Sequence, residues 1–290
     1  MENLNIIDMN NDNDLDNDLD NDLDNDLDND LDNNEITVVY KTYNNDLQWL
    51  YYSLLSLKKF VSGVKEIIIY CHDVCLKKLQ KLANNINLNN ISYRIIPVSY
   101  DYHGYLKQMV VKSMCFKDIN TKYIVILDSD NIINTPINFR DLIETSGKIE
   151  WYYLDKVPYD SDLKTWKEAY ETITKTKQDV CYMENHFPFI FTTKSLNEAY
   201  NKFVEIHGID YNEFCKIGCE KYNIKIADSI AGNRGRFGDM AKIFTELEWL
   251  GYYCHNFSED YIFKPIELNN KNKNKKKYTN TILVSRRINK

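Results

Sequence analysis

Prolines and glycines are scarce, five and nine in 290 residues. No stretch rich in Pro, Gly or Ser divides the chain, so nothing argues for two domains joined by a linker. No apolar run approaches the roughly 20 residues that a membrane-spanning helix needs. The N-terminus, M-E-N-L-N-I-I-D, lacks the basic start and apolar core of a signal peptide. Seven cysteines is an odd number, and Cys71/Cys75 and Cys215/Cys219 are spaced C-x-x-x-C, not as a zinc knuckle. Buried free thiols in a reducing compartment follow, and a cytoplasmic location is the expectation.

Basic residues are absent from 12–32, which hold eleven aspartates. Setting those eleven aside from the 43 acidic residues leaves 32 against 36 basic ones, so the formal charge of −7 hides a segregated chain. In the acidic head, N-D-L-D recurs five times from Asn13 to Asp32. Leucines four apart can line a helix face, but Asn and Asp are poor helix formers and the aspartates repel one another. Residues 1–34 are therefore expected to be disordered. The repeat has neither the turn Gly nor the closing Glu of a calcium-binding loop. Residues 269–290 open with N-N-K-N-K-N-K-K-K-Y and read as a basic, solvated tail. The 43% hydrophobic content supports one domain over 35–268 with a sizeable core.

Within that domain apolar runs and helical spacings alternate. Strands are predicted at 36–40, 66–70, 92–98 and 123–127, with helices at 46–61, 74–83 and 105–116 between them. Strand–helix alternation predicts an α/β fold with a largely parallel central sheet flanked by helices. The second half is less regular: strands at 149–154 and 187–192, and helices at 162–175, 195–206 and 239–250.

The organising segment is 122–131, K-Y-I-V-I-L-D-S-D-N. Its apolar run reads as a strand buried on both faces, and open α/β sheets bind ligands at the carboxyl ends of such strands. Strand alternation would turn Asp128 and Asp130 to the same side, where two carboxylates can hold a hard divalent cation and, through it, a diphosphate. The bland alternative is a polar turn.

Four pieces in order carry a resemblance: G-Y-L-K-Q-M-V-V-K-S from Gly104, Y-I-V-I-L-D-S-D-N, N-H-F-P-F-I-F from Asn185, and F-T-E-L-E-W-L-G-Y from Phe244. Together they resemble the nucleotide-sugar glycosyltransferases of GT-A fold. The nearest group carries a Gln- and Lys-bearing helix before the D-x-D strand and a late [ST]-E-x-E-x-x-G segment. The resemblance covers roughly residues 36–256 and implies a GT-A-like domain; the N- and C-terminal tails, expected from their composition to be disordered, do not belong to the pattern. It implies transfer of a sugar from a UDP- or GDP-sugar donor to a hydroxyl of a glycan, protein or small molecule, assisted by Mn2+ or Mg2+. It assigns Thr42, Tyr43 and Asn44 to the nucleotide, Asp130 to the metal, and Asp128 to metal-bound water or ribose. Lys112 would meet phosphate, or else be a solvated helix lysine. His186 would orient acceptor hydroxyls, or else be structural. Glu246 would act as general base, Glu248 would be an exposed helix carboxylate, and His255 would be a third metal ligand. Arg234 and Arg236, in the glycine-bearing loop 232–239, would close over the diphosphate, or else lie on a plain surface loop.

Two other classes compete. A haloacid dehalogenase-type phosphatase also ends an apolar strand in D-x-D, but there on the first strand and with a downstream acidic pair; here three strands precede it and no Asp-Asp pair occurs. A catalytically inactive sugar- or nucleotide-binding module is the non-enzymatic reading. Nucleic-acid binding finds no support, because basic residues outside the tail are dispersed.

Overall fold

The structure, a computed structural model, describes residues 36–284 apart from 87, 89–90, 100, 144, 157–163, 178, 183–187, 227–236 and 267–281. The expected acidic head and most of the basic tail lie outside the described residues.

The first half builds the sheet. β1 (Ile36–Thr42) is buried along its whole length, and it is followed by α1 (Leu47–Phe60), the short β2 (Val61–Ser62) and β3 (Glu66–His72). Then come α2 (Leu76–Ile86), β4 (Ser92–Val98), α3 (Gly104–Met114) and β5 (Tyr123–Asp128). β1, β3 and β5 bury near-continuous aliphatic runs because helices cover both of their faces, as parallel sheets require. β4 is only partly buried and carries Arg94, as suits an edge.

The sheet order is β4-β3-β1-β5-β9, with the first four strands parallel and β9 (Phe189–Thr192) antiparallel to β5. The chain winds outward from β1 through β3 to β4, then returns through α3 to place β5 on the other side of β1. Helices before and after that reversal lie on opposite faces. The Tyr40 hydroxyl meets Ser53 of α1 at 3.0 Å, whereas Asp128, which stands beside Lys41 in the register, meets Lys112 of α3. The reversal between β1 and β5 is a topological switch point, where the diverging helices leave a crevice outside the carboxyl ends of the strands.

The second half wraps this sheet. β6 (Asn131–Ile133), β7 (Ile137–Asn138), β8 (Ile149–Tyr153) and α4 (Lys164–Thr174) come before β9. α5 (Thr193–His207), α6 (Tyr211–Lys221), α7 (Phe237–Ala241), α8 (Glu246–Phe257), β10 (Tyr261–Pro265) and β11 (Ile282–Val284) follow it. α5 ends on Gly208, whose left-handed φ of 71° any side chain would strain.

Two expectations are corrected. The predicted helix over 239–250 is two helices separated by an extended step, with Thr245 at φ −140° and ψ 117°. The step delivers Ile243 and Phe244 to the core: Ile243 packs so closely on Gly218 that a Cβ there would lie 2.3 Å from its Cγ2. The basic tail is also not wholly outside the fold. Its aliphatic segment Ile282–Val284 pairs antiparallel with β6.

Candidate active site

β5 ends at Asp128, and Ser129–Asp130 form a turn before β6. Strand alternation therefore stops at Asp128, and the turn decides where Asp130 goes. The turn is tied from several sides. The Asp128 N–H donates to Asn131 Oδ1 at 2.7 Å, and Ser129 Oγ donates to the Lys41 carbonyl at 3.3 Å. From α1, Ser53 Oγ donates to the Asn131 carbonyl at 2.5 Å, and Ser56 Oγ accepts the Ile133 N–H at 3.0 Å. These bonds fix the backbone that carries the two aspartates, as a preorganised site requires.

Lys112 projects from α3 into the same end of the sheet. Its Nζ lies 2.6 Å from Asp128 Oδ1 and 3.8 Å from Glu246 Oε1. The lysine and Glu246 are each only 6% exposed, and Asp130 is 7% exposed. A buried lysine must be compensated by such partners. Burial works to lower the Lys112 ammonium, and Asp128, Glu246 and Asp130 outweigh it and hold the group above its ordinary range. Burial raises the Glu246 carboxyl above its ordinary range, Lys112 opposes this, and Asp128 adds to it. The solvated reading of Lys112 is thus corrected: the side chain bridges an aspartate of the central strand and a glutamate of the late segment.

Glu248 also departs from expectation. It is 1% exposed, accepts the Tyr182 N–H at 3.1 Å, and receives the Cys181 thiol at 3.0 Å. One turn on, Gly251 lets Tyr182 in, since a Cβ there would lie 2.3 Å from the Tyr182 Cβ. In E-x-E-x-x-G, the first glutamate faces the aspartate turn while the second and the glycine dock the chain at 181–182.

His255 sits nine residues after Glu246 on α8, roughly 13 Å along the axis at 1.5 Å per residue. Its Nδ1 lies 2.9 Å from the Tyr182 hydroxyl, and its ring stacks 4.2 Å from Phe263. Burial lowers its pKa. The structure does not bring His255 to the aspartates, so its expected role as a third metal ligand is corrected. Among the described residues, no group of three or more His, Cys, Asp or Glu side chains is placed to hold a metal ion. Two carboxylates on a fixed turn still fit Mg2+ or Mn2+, because such ions keep several waters and take one or two protein carboxylates together with substrate phosphates.

At the neighbouring end of β1, Thr42 is 1% exposed and its Oγ1 has no hydrogen-bond partner among the described residues; the same holds for Asn131 Nδ2. Tyr43 is extended, and Asn44 opens a 3-10 turn with its Oδ1 accepting from Lys78 Nζ at 3.0 Å. His186, Arg234 and Arg236 lie outside the described residues. Lys41, which sequence reasoning passed over, is 4% exposed at the carboxyl end of β1. Its signal was a lone charge in the otherwise uncharged strand I-T-V-V-Y-K-T.

Among the described residues no helix is long and apolar enough to cross a membrane. All seven cysteines are buried free thiols. No curated protein matches the chain. A match over residues 36–283, which begins with the first residue of β1 and takes in both the aspartate turn and the start of β11, shows that the chain belongs to a family of unknown function, DUF6492.

Proposed function

We propose that the chain is a glycosyltransferase that moves a sugar from a nucleoside-diphosphate sugar to an acceptor hydroxyl with the help of Mn2+ or Mg2+. The observation that carries this reading is the Asp128–Lys112–Glu246 cluster at the carboxyl side of the β1/β5 switch point. It joins three of the four sequence pieces behind the GT-A resemblance, which lie far apart in the chain.

In this reading the donor lies across the carboxyl ends of β1 and β5. Asp130, on its clamped turn, and Asp128 face the diphosphate side. The acceptor oxygen attacks the anomeric carbon, the bond from that carbon to the phosphate oxygen breaks, and the nucleoside diphosphate leaves. A bound Mn2+ or Mg2+ supplies charge neutralisation for the developing diphosphate. Glu246 takes the acceptor hydroxyl proton, and burial, by raising its carboxyl above the ordinary range, makes it a stronger base than a solvated glutamate. Lys112 stays protonated and keeps Asp128 and Glu246 in place, so it links the donor side to the acceptor side.

The test is a donor screen. Purified full-length protein with Mn2+ is offered each common nucleotide sugar, and release of nucleoside diphosphate is recorded. One or two donors should be consumed, and Glu246→Gln should slow the release strongly. Hydrolysis of a phosphate monoester with no nucleotide sugar consumed would favour a phosphatase instead. Binding without turnover would favour a binding module.

A further inference from the structure

β6 (Asn131–Ile133) leaves the aspartate turn, yet it has no place in the central sheet. It is held along both edges instead. On one side α1 stands in for a neighbouring strand. Ser53 Oγ donates to the Asn131 carbonyl at 2.5 Å, and Ser56 Oγ accepts the Ile133 N–H at 3.0 Å. Ser53 has a single hydroxyl proton, so the Tyr40 hydroxyl, 3.0 Å away, donates to it. On the other side lies β11 (Ile282–Val284), the only strand partner of β6 among the described residues.

The first edge dictates the second. In a strand, the N–H and C=O of one residue point to one edge, and those of the next residue point to the other. Asn131 and Ile133 turn theirs to the two serines, so Ile132 turns both of its groups to β11. The antiparallel register sets Ile132 opposite Leu283, which makes these two the hydrogen-bonded pair. Val284 stands opposite Asn131. Asn131 is also the residue that closes the turn, since its Oδ1 takes the Asp128 N–H at 2.7 Å. One residue thus begins β6, closes the turn around Asp130 and is flanked by β11. A strand of three residues gains little by itself, so its position depends on what pairs with it. The family match runs across the Asn- and Lys-rich stretch and ends at residue 283, within β11. This strand therefore belongs with the shared domain.

We propose that the C-terminal strand β11 is a positioning element of the candidate active site: by pairing with β6 it holds the Asp128–Asp130 turn in the geometry that takes a divalent cation together with a nucleoside diphosphate. The inference rests on the function proposed above and deepens it, making the far end of the chain part of the site. Leu283 is the positioning residue, and it acts through its backbone.

The experiment is calorimetric titration of the full chain with UDP and with GDP in the presence of Mn2+, on wild type, Leu283→Pro and Leu283→Val. Proline has no N–H to offer Ile132, whereas valine keeps it. For whichever nucleotide the wild type binds, Leu283→Pro should weaken affinity about 3- to 10-fold, the loss of competent population that one backbone hydrogen bond gives. Leu283→Val should bind as the wild type does. Both variants should keep the wild-type far-UV circular dichroism, since β11 lies outside the central sheet. If Leu283→Pro does not fold, Leu283→Gly, which loosens the strand and retains the N–H, carries the same comparison. An affinity within twofold of wild type in the folded variant overturns the role of β11 and leaves the proposed function standing. An equal loss in Leu283→Val would trace the effect to the side chain and overturn it too. A wild-type protein that binds neither nucleotide overturns the proposed function, and the inference falls with it.

Discussion

A lysine ammonium taken out of water loses several kcal/mol of hydration, and Lys112 is retained in its buried position by Asp128 and Glu246. Lys112→Met removes the cation and leaves both carboxylates facing one another. Because the Asp128 side chain is 36% exposed, the cost should fall near the low end for a broken buried pair, about 3 kcal/mol by urea denaturation. Glu246→Gln alone should cost less, since its contact with Lys112 is the longer, at 3.8 Å. The double variant should be more stable than the sum of the two single losses predicts, because Glu246 is a liability only once Lys112 is gone. Additivity within about 0.5 kcal/mol would show that the two groups do not interact. The sequence offered no way to choose between a phosphate-facing and a solvated Lys112. Its helix periodicity is visible, but its two partners come from β5 and α8 and depend on the tertiary fold.

At the scale of elements, α8 does two jobs. Its first residue meets Lys112, and Glu248 with Gly251 docks the chain at Cys181–Tyr182. Gly251→Ala would push a methyl group into the Cβ of Tyr182, which cannot swing away while its N–H is held by Glu248. The variant should lose about 1–3 kcal/mol, the usual cost of overpacking. An unchanged urea midpoint would mean that the close approach of α8 to Tyr182 is absent in solution. The parallel strands were legible because each is a short aliphatic run bounded by polar residues. The step before α8 was not, since Ile243 and Phe244 continue an apolar helical pattern and only their packing on α6 and the core ends it. α6 carries a local signal in the sequence: Asp210 accepts the Glu213 N–H at 2.9 Å, and Glu213 stands three residues later, as in a capping box. The burial of Glu248 leaves no trace in the sequence, because its partners lie 66 and 67 residues away, beyond any periodic pattern.

At the scale of the molecule, the order β4-β3-β1-β5-β9 puts the winding reversal at β1/β5. That single topological fact brings Lys41, Thr42, Asp128 and Asp130 to one edge, although the two pairs are separated by more than eighty residues. A ligand that binds only the folded state raises its stability by mass action. Mn2+ together with UDP or GDP should therefore raise the melting temperature of the full chain, and chelator should abolish the shift. Asp130→Asn keeps the side chain's size but removes one charge. It should fold with the wild-type circular dichroism and lose the Mn2+-dependent shift. A wild-type melting temperature indifferent to Mn2+ with either nucleotide, or a full shift retained in Asp130→Asn, would contradict the assignment at its central pair of residues.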